Sequence, residues 1–232
     1  MEKTKFNLGI CQLKVGYDKV LNLKGAERLL IEAAVEADVL ILPELFSFPF
    51  NMVNNEKVSQ YAESIDDFKT NEEATTMRML SNIAKTYEKY IIGGSILEKR
   101  DDKLFNTCVC LDKEGEIKAK HSKVHLFDIE VKDGITCKES DFISPGNAPT
   151  FFTTEFCKIG IGICFDVRFP EYICLLSSDA DVKLLCFPSS FNTTTGPMHW
   201  DILRKSRALD SQSFFCFCSP APTEEFGVYP AY

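Results

Sequence analysis

The chain has 232 residues, 45% of them apolar and 26% charged, and a net charge of −8. An acid excess of this size argues against a nucleic-acid surface, which needs a basic patch, and no 18-residue apolar run or secretory leader is read, so neither a membrane span nor export is expected. Ten cysteines without a leader are expected as reduced thiols in the cytoplasm, with organelle import left open.

A chain this long buries roughly 70–75% of its unfolded surface and needs no staples. No internal repeat or linker interrupts it, so a single domain over residues 1–232 is expected. Phe6 to Leu13 has strand character. Leu21, Leu23, Ala26, Leu29, Leu30, Ala33 and Ala34 recur at helical spacing, with Asn22 as the expected cap. Val39 to Leu42 reads as a buried strand closed by Pro43, with Glu44 at its carboxyl end. Residues 46–71 read as loop. Ala74, Met77, Leu80, Ile83, Ala84 and Tyr87 predict a second helix. Tyr90 to Glu98 is expected as one strand containing Gly93 and Gly94. Phe105 to Leu111 and Glu116 to His121 flank Asp112-Lys113-Glu114-Gly115, a hairpin signal.

Residues 125–150 read as an irregular excursion. Phe151 to Phe156 and Lys158 to Cys164 follow as a strand pair, with a helix from near Pro170. Val182 to Phe187 is a strand ended by Pro188. A polar loop, Ser189 to Gly196, precedes a helix through Trp200, Leu203 and Ala208, and Phe214 to Cys218 is the last strand. Alternating strands and helices around a central hairpin predict an α/β fold with mixed sheets. The Cys108/Cys110 and Cys216/Cys218 pairs fall on one face of their strands, at spacing poor for zinc. Nine of the ten cysteines are expected as small buried thiols.

Glu44, Lys123 and Cys164 each follow a strand, where ligands bind in open α/β sheets. A nucleophilic thiol needs a base and a group to hold the oxyanion. A carboxylate supplies the first. A lysine supplies the second and can lower the thiol pKa. Each residue also has an ordinary alternative: a solvated loop carboxylate, a surface lysine, a buried structural thiol. His121 and His125 stand four apart, as metal ligands on a helix would, but follow a strand; with His199 they form no recognisable Cys–His pattern. No metal and no cofactor are expected.

Leu42 to Phe46 (LPELF), His121 to Asp128 (HSKVHLFD) and Gly162 to Glu171 (GICFDVRFPE) resemble, in order, the three signature blocks of the nitrilase superfamily, the carbon–nitrogen hydrolases. The resemblance runs from Phe6 onward and implies a four-layer α-β-β-α sandwich that pairs through its α faces into a homodimer or higher homo-oligomer. Phe191 to Trp200 and the stretch from HLFDIEV to Glu139 are similar to ω-amidase members of that superfamily.

The resemblance implies that Glu44, Lys123 and Cys164 are catalytic and that Glu139 supports them. It implies cleavage of the ω-amide of dicarboxylic acid monoamides, such as 2-oxoglutaramate or 2-oxosuccinamate, through a cysteine thioester. The backbone N–H of Phe165 would share the oxyanion with Lys123. Arg168 is a candidate for the substrate carboxylate, unless it pairs with Asp166 or Glu171. Thr193, Thr194 and Thr195 are further donor candidates, and His199 and Trp200 shape the pocket. An aromatic after the catalytic glutamate is commonly tyrosine in ω-amidases; Phe48-Pro49-Phe50 stands here, with Phe50 as a candidate contact. Family members usually continue past the position of Tyr232 with further strands, so a sandwich lacking its C-terminal strands is expected. The alternatives are another amide or N-carbamoyl hydrolase of the superfamily, or a truncated non-catalytic paralogue.

Overall fold

The computed structural model describes residues 5–49, 56–132 and 136–222. Its first sheet contains β1 (Leu8–Ile10), β2 (Val39–Ile41), β3 (Tyr90–Ile92), β4 (Ile96–Arg100), β5 (Lys103–Leu111) and β6 (Ile117–Ser122). The order is β1-β2-β3-β5-β4, with β6 also paired to β5. β1, β2 and β3 run parallel; β5 is antiparallel to β3, β4 and β6. The second sheet is β12 (Phe214–Cys218), β11 (Val182–Pro188), β10 (Lys158–Ile161) and β9 (Thr150–Thr153), in that order, parallel except for β9.

The chain assembles as α-β-β-α. Alternation along each strand explains the layering. Val39 and Ile41 point into a cluster with Ile159, Ile161, Cys186 and Phe187 of the second sheet. Leu40 and Leu42 point the other way, onto helices α1 (Lys19–Ala34) and α2 (Thr75–Tyr87). Helices α3 (Pro170–Ser177) and α4 (Gly196–Ser211) pack on the second sheet through Ile173, Leu176 and Trp200. Each fully buried Leu, Ile or Phe is worth about 1.5–3 kcal/mol.

Several expectations are corrected. Asp18, not Asn22, caps α1, accepting from Leu21 N at 3.0 Å. Asn22 is buried inside the helix and donates from Nδ2 to Gly16 O and Ser47 O. Leu21 faces solvent rather than the core. The stretch 90–98 is two strands, not one, broken at Gly94 with φ +62°. A Cβ at Gly94 would collide with the Pro43 carbonyl, so the break lets the chain press against the residue before Glu44. The excursion 125–150 holds a hairpin, β7 (Asp128–Glu130) with β8 (Thr136–Lys138), and residues 56–61 form a 3₁₀ turn. Cys174 is exposed and Cys157 half-buried, so the thiols are less uniformly interior than their composition suggested.

Candidate active site

Three chain segments bring the predicted polar residues together beyond strand ends. Glu44 follows β2 and is held by its neighbours. Its N–H donates to Ser189 O at 3.3 Å, Ser95 N donates to Pro43 O at 3.1 Å, and Leu45 N donates to Ser95 Oγ at 2.9 Å. Lys123 follows β6, with its N–H on Asn106 O at 2.8 Å. β10 ends at Ile161, three residues earlier than expected, and Cys164 opens a 3₁₀ turn, Cys164–Arg168, that leads to α3.

That turn is built around Asp166. Its Oδ2 accepts Ile163 N at 2.9 Å and His121 Nε2 at 3.1 Å, and its Oδ1 accepts both His125 N and His125 Nδ1 at 2.8 Å. Burial raises the Asp166 pKa, but the bonds from the two histidines and Ile163 overcome it, leaving the carboxyl well below its usual range. One side chain thus fastens the Cys164 turn to the segment that carries Lys123. Cys164 sits at φ +41°, a left-handed conformation that costs an L-residue about 1–2 kcal/mol.

Glu44, Lys123 and Glu139 are fully buried at the side chain. Lys123 Nζ donates to Glu44 Oε1 at 2.8 Å and to Glu139 Oε2 at 2.9 Å. Glu139, in the 3₁₀ turn after β8, also accepts Phe127 N on Oε2 at 2.7 Å. Asn106 of β5 donates from Nδ2 to Glu44 Oε1 at 2.9 Å and to Glu139 Oε1 at 3.1 Å. Glu44 Oε2 is buried and makes no hydrogen bond of ordinary geometry among the described residues.

The electrostatics follow from this packing. Burial, then the charge of Glu139, pushes Glu44 up, while Lys123 pulls it back in part. Burial disfavours the Lys123 ammonium, but Glu139 and Glu44 outweigh it and hold the amine protonated. Burial and the nearby Glu44 charge push the Cys164 thiol well up, opposed by Lys123 and by the Ser190 N–H that donates to the sulfur. Lys123 thus acts on the thiol in the direction expected of it, but burial and Glu44 outweigh it. Burial thus pushes both the Cys164 thiol and the neighbouring Glu44 carboxylate upward.

A cleft of about 270 Å³ lies over Cys164, lined by Phe127, Phe165, Arg168, Ser190, Phe191 and Thr195 among others. Arg168 pairs with neither Asp166 nor Glu171. Its Nη1 lies 3.0 Å from His199 Nδ1, and its guanidinium carbon is 5.3 Å and 5.7 Å from the Phe165 and Phe191 ring centres. Its Nε is buried without a partner among the described residues. Burial, then the Arg168 charge, pulls the His199 pKa down, which suits a neutral acceptor toward Arg168. Thr194 is exposed, its N–H on Asn192 Oδ1 at 3.0 Å, whereas Thr195 lines the cleft. Trp200 packs against Phe217 and Phe191. Phe50 lies outside the described residues. His121 and His125, weighed earlier as metal ligands or bases, both bind Asp166.

Asn106 and Asp166 were missed as site residues by sequence reasoning. A lone asparagine inside the apolar run LFNTCVCL was the available signal for the first, since a buried strand rarely carries an amide without a partner. Asp166 was named only as a possible partner of Arg168; its bonds span 45 residues to His121 and carry no local spacing signal.

The sandwich, with a thiol, two carboxylates and an ammonium gathered where strands of both sheets end, defines an α/β enzyme-like site of nucleophilic type. Residues 7–231 match the carbon–nitrogen hydrolase family. The chain belongs to that family. It is 43% identical over 219 residues to a chloroplastic omega-amidase of Arabidopsis thaliana, covering 94% of this chain and 58% of the relative. To an omega-amidase of Xenopus tropicalis it is 41% identical over 222 residues, covering 95% of this chain and 76% of the relative. The crystal structure of Nit3 from Saccharomyces cerevisiae, a member of branch 10 of the nitrilase superfamily, superposes with TM-score 0.80 at 33% identity, covering 96% of this chain and 79% of that one. The chain thus spans under two thirds of the length of the Arabidopsis relative. Among the described residues, no helix is long and apolar enough to cross a membrane.

Proposed function

We propose that this chain is an ω-amidase-type amidohydrolase, cleaving the terminal amide of dicarboxylic acid monoamides such as 2-oxoglutaramate or 2-oxosuccinamate to the acid and ammonia. The omega-amidase names of the relatives support the substrate class. One observation carries the reading: the cleft over Cys164 also holds Arg168, which makes no ion pair with an acidic residue among the described residues. An amide carbon at the thiol would leave the substrate's far carboxylate to meet that cation.

In this mechanism Glu44, through Oε2, takes the thiol proton as Cys164 attacks the amide carbon. Lys123 and the Phe165 N–H hold the oxyanion. The C–N bond breaks as the nitrogen receives the proton from Glu44, releasing ammonia and leaving a thioester. Glu44 then takes a proton from water, which attacks the thioester; the C–S bond breaks and the thiol regains its proton. Glu139 keeps Lys123 charged and in place.

The test is ammonia release from 2-oxoglutaramate, 2-oxosuccinamate and glutamine, with Cys164→Ala as control. Turnover of the monoamides that vanishes in Cys164→Ala supports the reading; turnover that survives the substitution sinks it. Carbon dioxide released with ammonia from an N-carbamoyl acid would move the assignment to that class.

The same reading includes a cytoplasmic homodimer or higher homo-oligomer. Leu175 of α3 and Met198, Ile202 and Leu209 of α4 are exposed, an apolar set on the outer helical layer suited to a second copy. Sedimentation equilibrium on the full chain tests this, with a strictly monomeric profile at micromolar concentration as the contrary result.

A further inference from the structure

Asn106 reaches every polar member of the catalytic cluster except the thiol. It is wholly buried in the middle of β5. Its Nδ2 donates to Glu44 Oε1 at 2.9 Å and to Glu139 Oε1 at 3.1 Å, and its backbone oxygen accepts the N–H of Lys123 at 2.8 Å. The orientation of the amide is forced by chemistry. Both partners are carboxylate oxygens, so a flipped amide would set Oδ1 against two anions. Its Oδ1 is buried with no partner among the described residues, a cost that a purely structural side chain in an apolar strand has no reason to carry.

The charges explain what the amide does. Glu44 and Glu139 are two buried carboxylates around one ammonium, so the cluster carries an uncompensated negative charge. Lys123 binds Oε1 of Glu44 and Oε2 of Glu139. Asn106 binds Oε1 of Glu44 and Oε1 of Glu139. Both donors therefore grip the same oxygen of Glu44, and neither binds Oε2. Two donors on one oxygen fix the rotation of the carboxylate.

We propose that Asn106 is a positioning residue that clamps Glu44 through Oε1 so that Oε2 is held for the Cys164 proton, while bridging Glu44 to Glu139. This rests on Glu44 acting as base in the function proposed above. The groups facing Glu44 are Lys123 beyond β6, Glu139 beyond β8, Cys164 beyond β10 and Asn106 itself. Removing the amide takes a donor from the ionised Glu44 and lets two carboxylates face each other less screened. Both effects favour the protonated acid, so the acid limb of thiol reactivity moves to higher pH.

Alkylation of Cys164 by iodoacetamide, followed across pH in the full chain, reads that limb without depending on which amide is the substrate. Intact-mass spectra of peptides count only the Cys164 adduct. Wild type, Asn106→Ala, Asn106→Ser and Glu44→Gln are compared, together with kcat and KM on 2-oxoglutaramate. Expected is an acid limb displaced upward in both Asn106 variants, with kcat lowered roughly 10–100-fold, the usual cost of losing a supporting hydrogen bond, and KM little changed. Asn106→Ser adds no charge and keeps a small polar side chain in the strand, so it carries the measurement if the alanine variant does not fold. A limb that stays at the wild-type pH in the folded variants overturns the proposal, whatever happens to kcat. A limb unmoved in Glu44→Gln overturns it differently, by removing Glu44 as the base. Failure on 2-oxoglutaramate with a displaced alkylation limb strikes only the substrate assignment and leaves the clamp standing.

Discussion

Lys123 Nζ lies 2.8 Å from Glu44 Oε1, and both side chains are sealed from solvent. Breaking a buried pair by removing one partner strands the other charge, at about 3–5 kcal/mol. Here the loss strands two, since Glu139 leans on the same ammonium. Lys123→Ala is expected to lower stability by that amount and kcat by about 10²–10³-fold, the usual effect of losing an oxyanion donor. Adding Glu139→Gln should return part of the stability and none of the turnover. Urea melts and ammonia release on the two variants check both halves.

Asp166 links stability to pH. Its folded pKa is depressed, so its contribution is fully present above the unfolded carboxylate value of about 3.9 and is lost as pH falls through the lower folded value. Asp166→Asn is expected to cost about 1.5–3 kcal/mol at neutral pH, the worth of hydrogen bonds to a charged group. The gap between variant and wild type should begin to narrow as pH falls below about 3.9. Because the same carboxylate holds the turn of Cys164 to the Lys123 segment, kcat should fall with it. Denaturant midpoints from pH 7 down to pH 3 decide the matter; a gap that widens in acid would contradict it.

The architecture was legible where burial is continuous. Val39 to Leu42, Leu184 to Phe187 and Cys216 to Cys218 are apolar and buried on both faces because the sheets are covered on both there. Glu44, Lys123 and Cys164 were legible from their places inside the three blocks that resemble the nitrilase signature, since position after a strand alone left each an ordinary alternative. Gly94 hid a strand break, since a glycine pair in a strand run does not say where the chain bends. Asn22 has the chemistry of a cap, but Asp18 stands four residues earlier and takes the role, leaving Asn22 to tie loops from within the helix. The site's supporting bonds were illegible for one reason. Asn106 to Glu44 spans 62 residues within the first sheet and Asp166 to His121 spans 45 between the two sheets, and such pairings exist only once the sheets have formed and closed.

Cys164 offers a test of backbone strain that is separate from chemistry. At φ +41° only glycine is at ease. Cys164→Ala and Cys164→Gly should both be inactive, yet the glycine variant should be the more stable. Relief of about 1–2 kcal/mol of left-handed strain exceeds the roughly 0.4–1 kcal/mol that glycine loses through its freer unfolded chain. Thermal or urea unfolding of the two variants gives the order directly. Equal midpoints would mean that the turn relaxes once the sulfur is gone.

Arg168 separates binding from chemistry. Its guanidinium borders the cleft between two phenylalanine rings, steadied by His199 rather than by a carboxylate. A substrate carboxylate arriving there would find an oriented donor already desolvated, and charge-assisted bonds of this kind are worth about 1.5–3 kcal/mol. Arg168→Ala is therefore expected to raise KM for a dicarboxylic monoamide by about 10–100-fold with kcat changed far less. Alkylation of Cys164 by iodoacetamide, a neutral amide with no carboxylate to place, should be nearly unaffected. His199→Ala should shift KM in the same direction by a smaller factor, since it removes the steadying contact and not the charge. Equal losses on the charged and the neutral reagent would instead assign Arg168 to holding the Cys164 turn.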